Sequence, residues 1–193
     1  YSHLFIPHDY THNVFILLIG LFLFIYFIKD FDFLFFKILL IVFSFLFLML
    51  LLFKTHDDFH YYHFPYTYYI TQHSLLIGVG QFNHGFRTPS SIFYLNSLFY
   101  LPIIKHYFFQ IGAVLIMGFT TFNFFDFVNK RLQKNKFDKL FYLSLFFFMF
   151  VLIFFYRIAE HGTDRSAQIL IFLLISELLI IINHDKGIKE NIA

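Results

Sequence analysis

Cysteine and tryptophan are both missing from the 193 residues, and charged side chains supply only 13% of them. Without cysteine there is no disulfide, no thiolate nucleophile and no thiolate-held zinc or iron–sulfur centre, so any metal would need histidine and carboxylate ligands. So little charge excludes a soluble domain of this length, and a net charge of +2 spread over several loops leaves no basic stripe for nucleic acid. What fills the chain instead is apolar: 59% of residues are hydrophobic, 35 of them Phe. The expected class is an integral membrane protein. The Phe content, accompanied by much Ile, Tyr, Asn and Lys, reads partly as coding-sequence base composition, so the aromatic stripe is taken as lipid-facing bulk rather than a cofactor box.

A helical span needs about 20 mainly apolar residues. Segments 14–28, 33–53, 106–128 and 140–157 meet or approach that, and 167–183 is short but almost free of charge. Backbone groups in hydrocarbon must be satisfied within the segment, so each is expected to be an α-helix. The expected fold is therefore all-α: a polytopic transmembrane helix bundle of about five spans in one domain. The apolar stretch from Ile92 to Val128 is too long for one span and is broken by Pro102 and Lys105-His106. Residues 92–104 then read as an interfacial helix within a long loop, 54–105, that leads into the next span. The chain opens on Tyr1 with no charged leader, which suggests a piece of a longer protein or a processed product.

Loop charges set the orientation. Residues 129–139 hold Lys130, Arg131, Lys134, Lys136 and Lys139, and the tail holds Lys186 and Lys189, whereas residues 1–13 have no Lys or Arg. By the positive-inside rule the first two lie in the cytoplasm and the last outside. The turn Lys29–Asp32 then falls inside, and 54–105 and 158–166 fall outside. The expected location is the cytoplasmic (inner) membrane, with any site on its extracytoplasmic face.

Two polar clusters share that outer face. The first is Thr-His-Asp-Asp-Phe-His-Tyr-Tyr-His-Phe-Pro at 55–65, directly after a span. Ionisable groups are costly at bilayer depth, so such a chain concentrates them where a span meets water. Asp57 and Asp58 either cap the following helix or supply a general base and a metal or substrate ligand. The second cluster, 157–165, holds Glu160, His161, Asp164 and Arg165 around Gly162. It reads as a polar turn or as part of the same site. Between them lie His84 and Arg87; a guanidinium in an outer loop suits a phosphate oxygen pair. The glycines at 78, 80 and 85 read as turn formers, because a nucleotide loop needs a strand-to-helix setting. His56, His60 and His63, at i, i+4 and i+7, would share one face of a helix. Their spacing is similar to the histidine boxes of membrane di-iron desaturases, which face the cytoplasm, whereas charge places these outside. Glu177, inside the last span, would either face a neighbouring helix or stay protonated.

A span followed by Asp57-Asp58, with Tyr61 four residues after the first acid, resembles the GT-C superfamily of membrane glycosyltransferases. In texture, 57–66 and 90–102 resemble a group of multispan bacterial membrane proteins that share the GT-C core, and this resemblance runs from about residue 50 to 183. It implies that Asp57 acts as base on the acceptor hydroxyl and that Asp58 contacts metal or substrate. It also implies that Arg87 and Arg165, with His60, Tyr61, His63 and His84, bind the donor, and that Glu160 and Asp164 with Asp58 hold a divalent cation, Mg or Mn. The implied partners are a polyprenyl-phosphate-linked sugar and the lipid bilayer, with no nucleic acid. The chain departs from the superfamily in having a span upstream of the usual first one. A reading from another class is a non-catalytic membrane-complex subunit or transporter-like protein, for example a respiratory component. A His-metal membrane oxidase is a third.

Overall fold

The computed structural model describes residues 2–28, 33–52, 55–74, 77–87 and 90–190, with 184–190 as backbone only. The expected inner turn at 29–32, Phe53, and the side chains of Lys186 and Lys189 lie outside the described residues. The chain is all-helical among those residues: α1 (Tyr10–Ile28), α2 (Phe33–Leu52), α3 (Phe64–Gln72), α4 (Ser91–Ser97), α5 (Ile111–Gln133), α6 (Lys139–Phe154) and α7 (Asp164–Glu190). Four of them, α1, α2, α5 and α7, are long and apolar enough to cross a membrane. Helix α6, also apolar, is shorter at 16 residues. The protein is a polytopic helix bundle embedded in a membrane.

Helix α5 is the axis. In its apolar window 61% of residues are buried, against 6% in α1, and α2, α6 and α7 all pack on it. The sequence explains this central position. Without a hydrophobic force between helices in lipid, close approach depends on small residues, and α5 carries Gly112, Ala113, Gly118, Thr120 and Thr121 on its buried faces. At Gly118 an added Cβ would sit 2.7 Å from Phe43 Cζ, so this glycine lets the α2 ring lie on the α5 backbone. Leu46, Leu50, Val114, Met117, Phe124, Phe147, Val151 and Ile169 complete the core between these four helices. Ser144 and Ser176 meet at 3.4 Å between α6 and α7. Glu177 is exposed on α7 rather than turned towards a neighbouring helix.

At one end of the bundle the basic turn joins α5 to α6. Asp138 caps α6 by accepting the Phe141 N–H at 3.0 Å and is also paired with Arg131. Lys130 and Arg131 extend α5 to Gln133, five residues beyond the expected end at 128, where cations suit the C-terminal dipole.

The opposite end is a small polar and aromatic layer. Its own core is Tyr66, Ile70, Phe86, Ile92 and Phe93, packed between α3 and α4. The N-terminal segment is tied into this layer: His8 N–H donates to Ile70 O at 2.9 Å, and His8 Nδ1 meets Ser97 Oγ at 2.7 Å. The Asn13 amide reaches the carbonyls of His8, Ser97 and Tyr100 at 2.7, 2.8 and 3.1 Å. Residues 2–13 and the 55–110 segment therefore share one face, as the charge pattern requires.

The expected helix over 92–104 is cut short. It ends at Ser97, and 98–110 is a series of turns with an isolated Leu101–Lys105 bridge and Lys105 at φ +51°. Pro102 accounts for this, because it lacks an N–H and disfavours helix in the residue before it. The span starts at Ile111 rather than near His106, where Asn96 Oδ1 accepts the Gly112 N–H at 2.8 Å.

Gly85 fixes how the layer closes. A Cβ there would overlap the Tyr62 ring. Gly85→Ala should cost about 1–3 kcal/mol, the usual range for overpacking, and should loosen 77–87. Thermal melting together with limited proteolysis of that segment would measure it. An unchanged melting temperature and cleavage pattern would show that the layer has slack there.

Candidate functional site

The site begins with a wide turn. Asp58 O accepts from the N–H groups of Tyr61, Tyr62 and His63 at 3.1, 3.0 and 3.3 Å, and Phe64 N–H reaches Phe59 O, so 59–63 forms a π-helical turn before α3. Pro65 is the local cause. It has no N–H for the carbonyl four residues back, at Tyr61, and the Asn83 amide takes that carbonyl at 3.1 Å instead. Turns of this width cluster at functional sites.

The π turn changes which histidines meet. His56 precedes it, in non-helical backbone, and His60 is exposed, its ring against Phe59. The shared face expected of His56, His60 and His63 does not form, because no α-helix runs through 56–63. Instead His63 swings inward to 6% exposure and lies 5.2 Å from the His56 ring, centroid to centroid. His56 Nδ1 accepts the Asp58 N–H at 3.1 Å and is 3.8 Å from Asp58 Oδ2. His56, Asp58 and His63 each offer a ligand atom within 4.8 Å of the others, the only such group among the described residues. His56 is the member that reasoning from the sequence undervalued; its signal was adjacency to the acid pair, which helical periodicity obscured.

The second polar cluster comes to the same place. His56 N–H donates to Ala159 O at 3.1 Å. Gly162, at φ +42°, lies against both imidazoles: a Cβ there would be 3.1 Å from His63 Cε1 and 3.3 Å from His56 Cδ2. A small cavity opens between these groups, lined also by Phe59, Asn96, Gln110 and Ile158. Asp58 and Asp164 both raise the Tyr62 phenol, after burial, which is the larger cause. Burial lowers the His63 imidazole to about 4, helped by His56 and opposed by Asp58 and Asp164.

Other residues take up distinct positions. Glu160 lies between two guanidiniums, Arg157 and Arg165, each 3.4 Å from one of its oxygens. Asp164 is exposed and accepts from Thr163 Oγ1 at 3.0 Å. Asp57 is exposed at the turn beside Asp58. Tyr61 is 62% exposed. His84 and Arg87 are also exposed, and Arg87 Nε donates to Gly80 O at 3.1 Å, which anchors its side chain to its own loop. His161 is 1% exposed, and its Nε2 donates to Phe155 O at 2.7 Å. It is a packed residue beneath the site.

Chemically, the arrangement joins an exposed carboxylate, a histidine–carboxylate group and an Arg–Glu–Arg row at the edge of a membrane bundle. No family model, curated protein or solved structure matches the chain.

Proposed function

We propose that the chain is a membrane glycosyltransferase of the GT-C type, moving a sugar from a polyprenyl-phosphate carrier to an acceptor on the extracytoplasmic face of the inner membrane. The observation that carries this reading is the convergence of the two polar clusters, through the His56–Ala159 bond and the seat of Gly162 on both imidazoles. Polar groups of a membrane protein concentrate where spans meet water, the depth at which the phosphate of a lipid carrier would reach them. In the reaction Asp57 takes the proton of the acceptor hydroxyl as its oxygen attacks the sugar C1. The C1–O bond to phosphate breaks, and polyprenyl phosphate leaves with the electron pair. Arg165, in the first turn of α7, steadies the negative charge that develops on the phosphate. The resemblance implies a divalent cation, Mg or Mn; Asp58 would help to hold it, and it would supply charge neutralisation.

One observation favours a second reading, a non-catalytic subunit of a membrane complex. Both oxygens of Glu160 are engaged by arginines and His161 is bonded to backbone, a use of polar groups that builds a turn.

Two measurements test the proposal. Purified protein should release polyprenyl phosphate from a labelled polyprenyl-phosphate sugar when given a lipid acceptor. On intact cells, an impermeant thiol reagent should label Ser91→Cys and spare Lys134→Cys. Labelling of the second alone would place the site in the cytoplasm and end the extracytoplasmic mechanism, while absence of transfer by folded protein would leave the subunit reading.

A further inference from the structure

We propose that His56, His63 and Asp58 form a binding site for a divalent transition-metal ion of the zinc class. The three ligand atoms already lie within 4.8 Å of one another. Two imidazoles and one carboxylate suit Zn, Co, Ni or Mn, whereas Mg prefers an all-oxygen shell and keeps its waters. Three protein ligands leave a fourth position open, the arrangement of catalytic rather than purely structural zinc.

A second observation points to a ligand independently. His63 Nε2 belongs to a side chain only 6% exposed and has no hydrogen-bond partner. A buried polar nitrogen left unpartnered is costly, and nearly all such groups in folded proteins are satisfied. An ion shared with His56 and Asp58 supplies the partner. The backbone facing the two rings is glycine as well. Gly162 combines a left-handed φ of +42° with contact on both rings, so a side chain there would strain the backbone and make the His56 and His63 rings give by a few tenths of an ångström.

The ligands need a modest closure. Tetrahedral bonds of about 2.0–2.1 Å set ligand atoms roughly 3.4 Å apart, so a separation of 4.8 Å narrows by about 1.4 Å. His63 is fixed by packing against Tyr62 and Phe93, while His56 and Asp58 sit half-buried on the turn and can supply the movement. The ion would recruit Asp58 and leave Asp57 outside its shell. This site does not depend on the transferase reading, and its test uses binding alone.

The full chain, purified in detergent without a histidine tag and stripped with chelator, is dialysed against Zn(II) or Co(II) and then against metal-free buffer. One ion per chain should remain, Co(II) should show visible d–d absorption of a nitrogen–oxygen site, and excess Mg(II) should displace neither. Asp58→Asn and His56→Ala, both on the half-exposed turn and checked for helicity by circular dichroism, should each weaken retention at least about 10-fold. His73→Ala, on exposed surface beyond α3, should retain the ion. No retained ion in wild type, displacement by Mg(II), or undiminished retention in both turn variants would overturn the proposal.

Discussion

Asp57→Asn is expected to abolish sugar transfer while leaving the protein folded. General-base assistance is typically worth ~10²–10⁴-fold, and the amide keeps the shape and much of the hydrogen bonding of the acid while losing its basicity. The exposed position of Asp57 on the turn makes a large effect on folding implausible on packing grounds. Turnover should therefore fall at least about 100-fold, with binding of the carrier nearly unchanged, as when an interaction made only in the transition state is removed. Labelled-sugar transfer by wild type and variant in the same detergent measures it. A helix cap behaves differently, because Asn caps as well as Asp does. Equal activity in the two proteins would remove Asp57 from the mechanism and return it to a structural role.

Acid should unfold the polar layer before it affects the spans. Burial lowers the imidazole of His161 to about 4, with Arg165 adding to the effect and the Phe155 carbonyl and Glu160 opposing it. Burial likewise lowers His8 to about 4, reinforced by His12 and His3. In the unfolded chain both titrate near 6.5. The folded state therefore binds fewer protons, and stability is fully present above pH 6.5 and lost as pH falls towards 4. For His161, at 1% exposure, the loss is about 3 kcal/mol at the low end of that window. His8, also buried, adds to the loss. Melting temperature should hold level from pH 7.5 to about 6.5 and fall from there to 4.5, and His161→Gln should flatten the profile. A level profile in wild type would mean that these rings reach solvent freely in the folded protein.

Much of this was readable from the chain, for identifiable reasons. The long spans follow from apolar length, which admits few solutions in lipid. Asp57 and Asp58 stood out because two carboxylates directly after a span are costly without purpose. The meeting of 55–63 with 158–165 is expected from shared sidedness together with the cost of leaving so many charges at a membrane edge without partners. The partnership of His56 with His63 was hidden, because helical periodicity groups His56, His60 and His63, and only a π turn separates His60 from the other two. That turn depends on Pro65 and on Asn83, about twenty residues further along, whose amide takes the Tyr61 carbonyl. The end of α4 was misplaced for a related reason: apolar content runs unbroken past Ser97, while Pro102 and the left-handed Lys105 decide the backbone. Arg87 reads as a phosphate clamp by type, and the bond from its Nε to Gly80 O depends on a loop conformation that residue type does not foretell.

Helix α6 has a consequence for how this protein fits its bilayer. Its 16 residues rise only about 24 Å at 1.5 Å per residue, short of a hydrocarbon core of about 30 Å. The apolar part of the neighbouring α7, Asp164–Asn183, runs for 20 residues, or about 30 Å. A short apolar helix beside spans of full length creates hydrophobic mismatch, which thinning of the lipid around α6 would relieve. The loop that follows α6 carries Arg157, Glu160 and Gly162, and such thinning would draw it below the level of the surrounding headgroups. The polar cluster would then lie in a dimple of the membrane surface, entered sideways from the lipid rather than from above. A molecule diffusing in the plane of the bilayer would meet it head-on, while a water-soluble one would first have to descend.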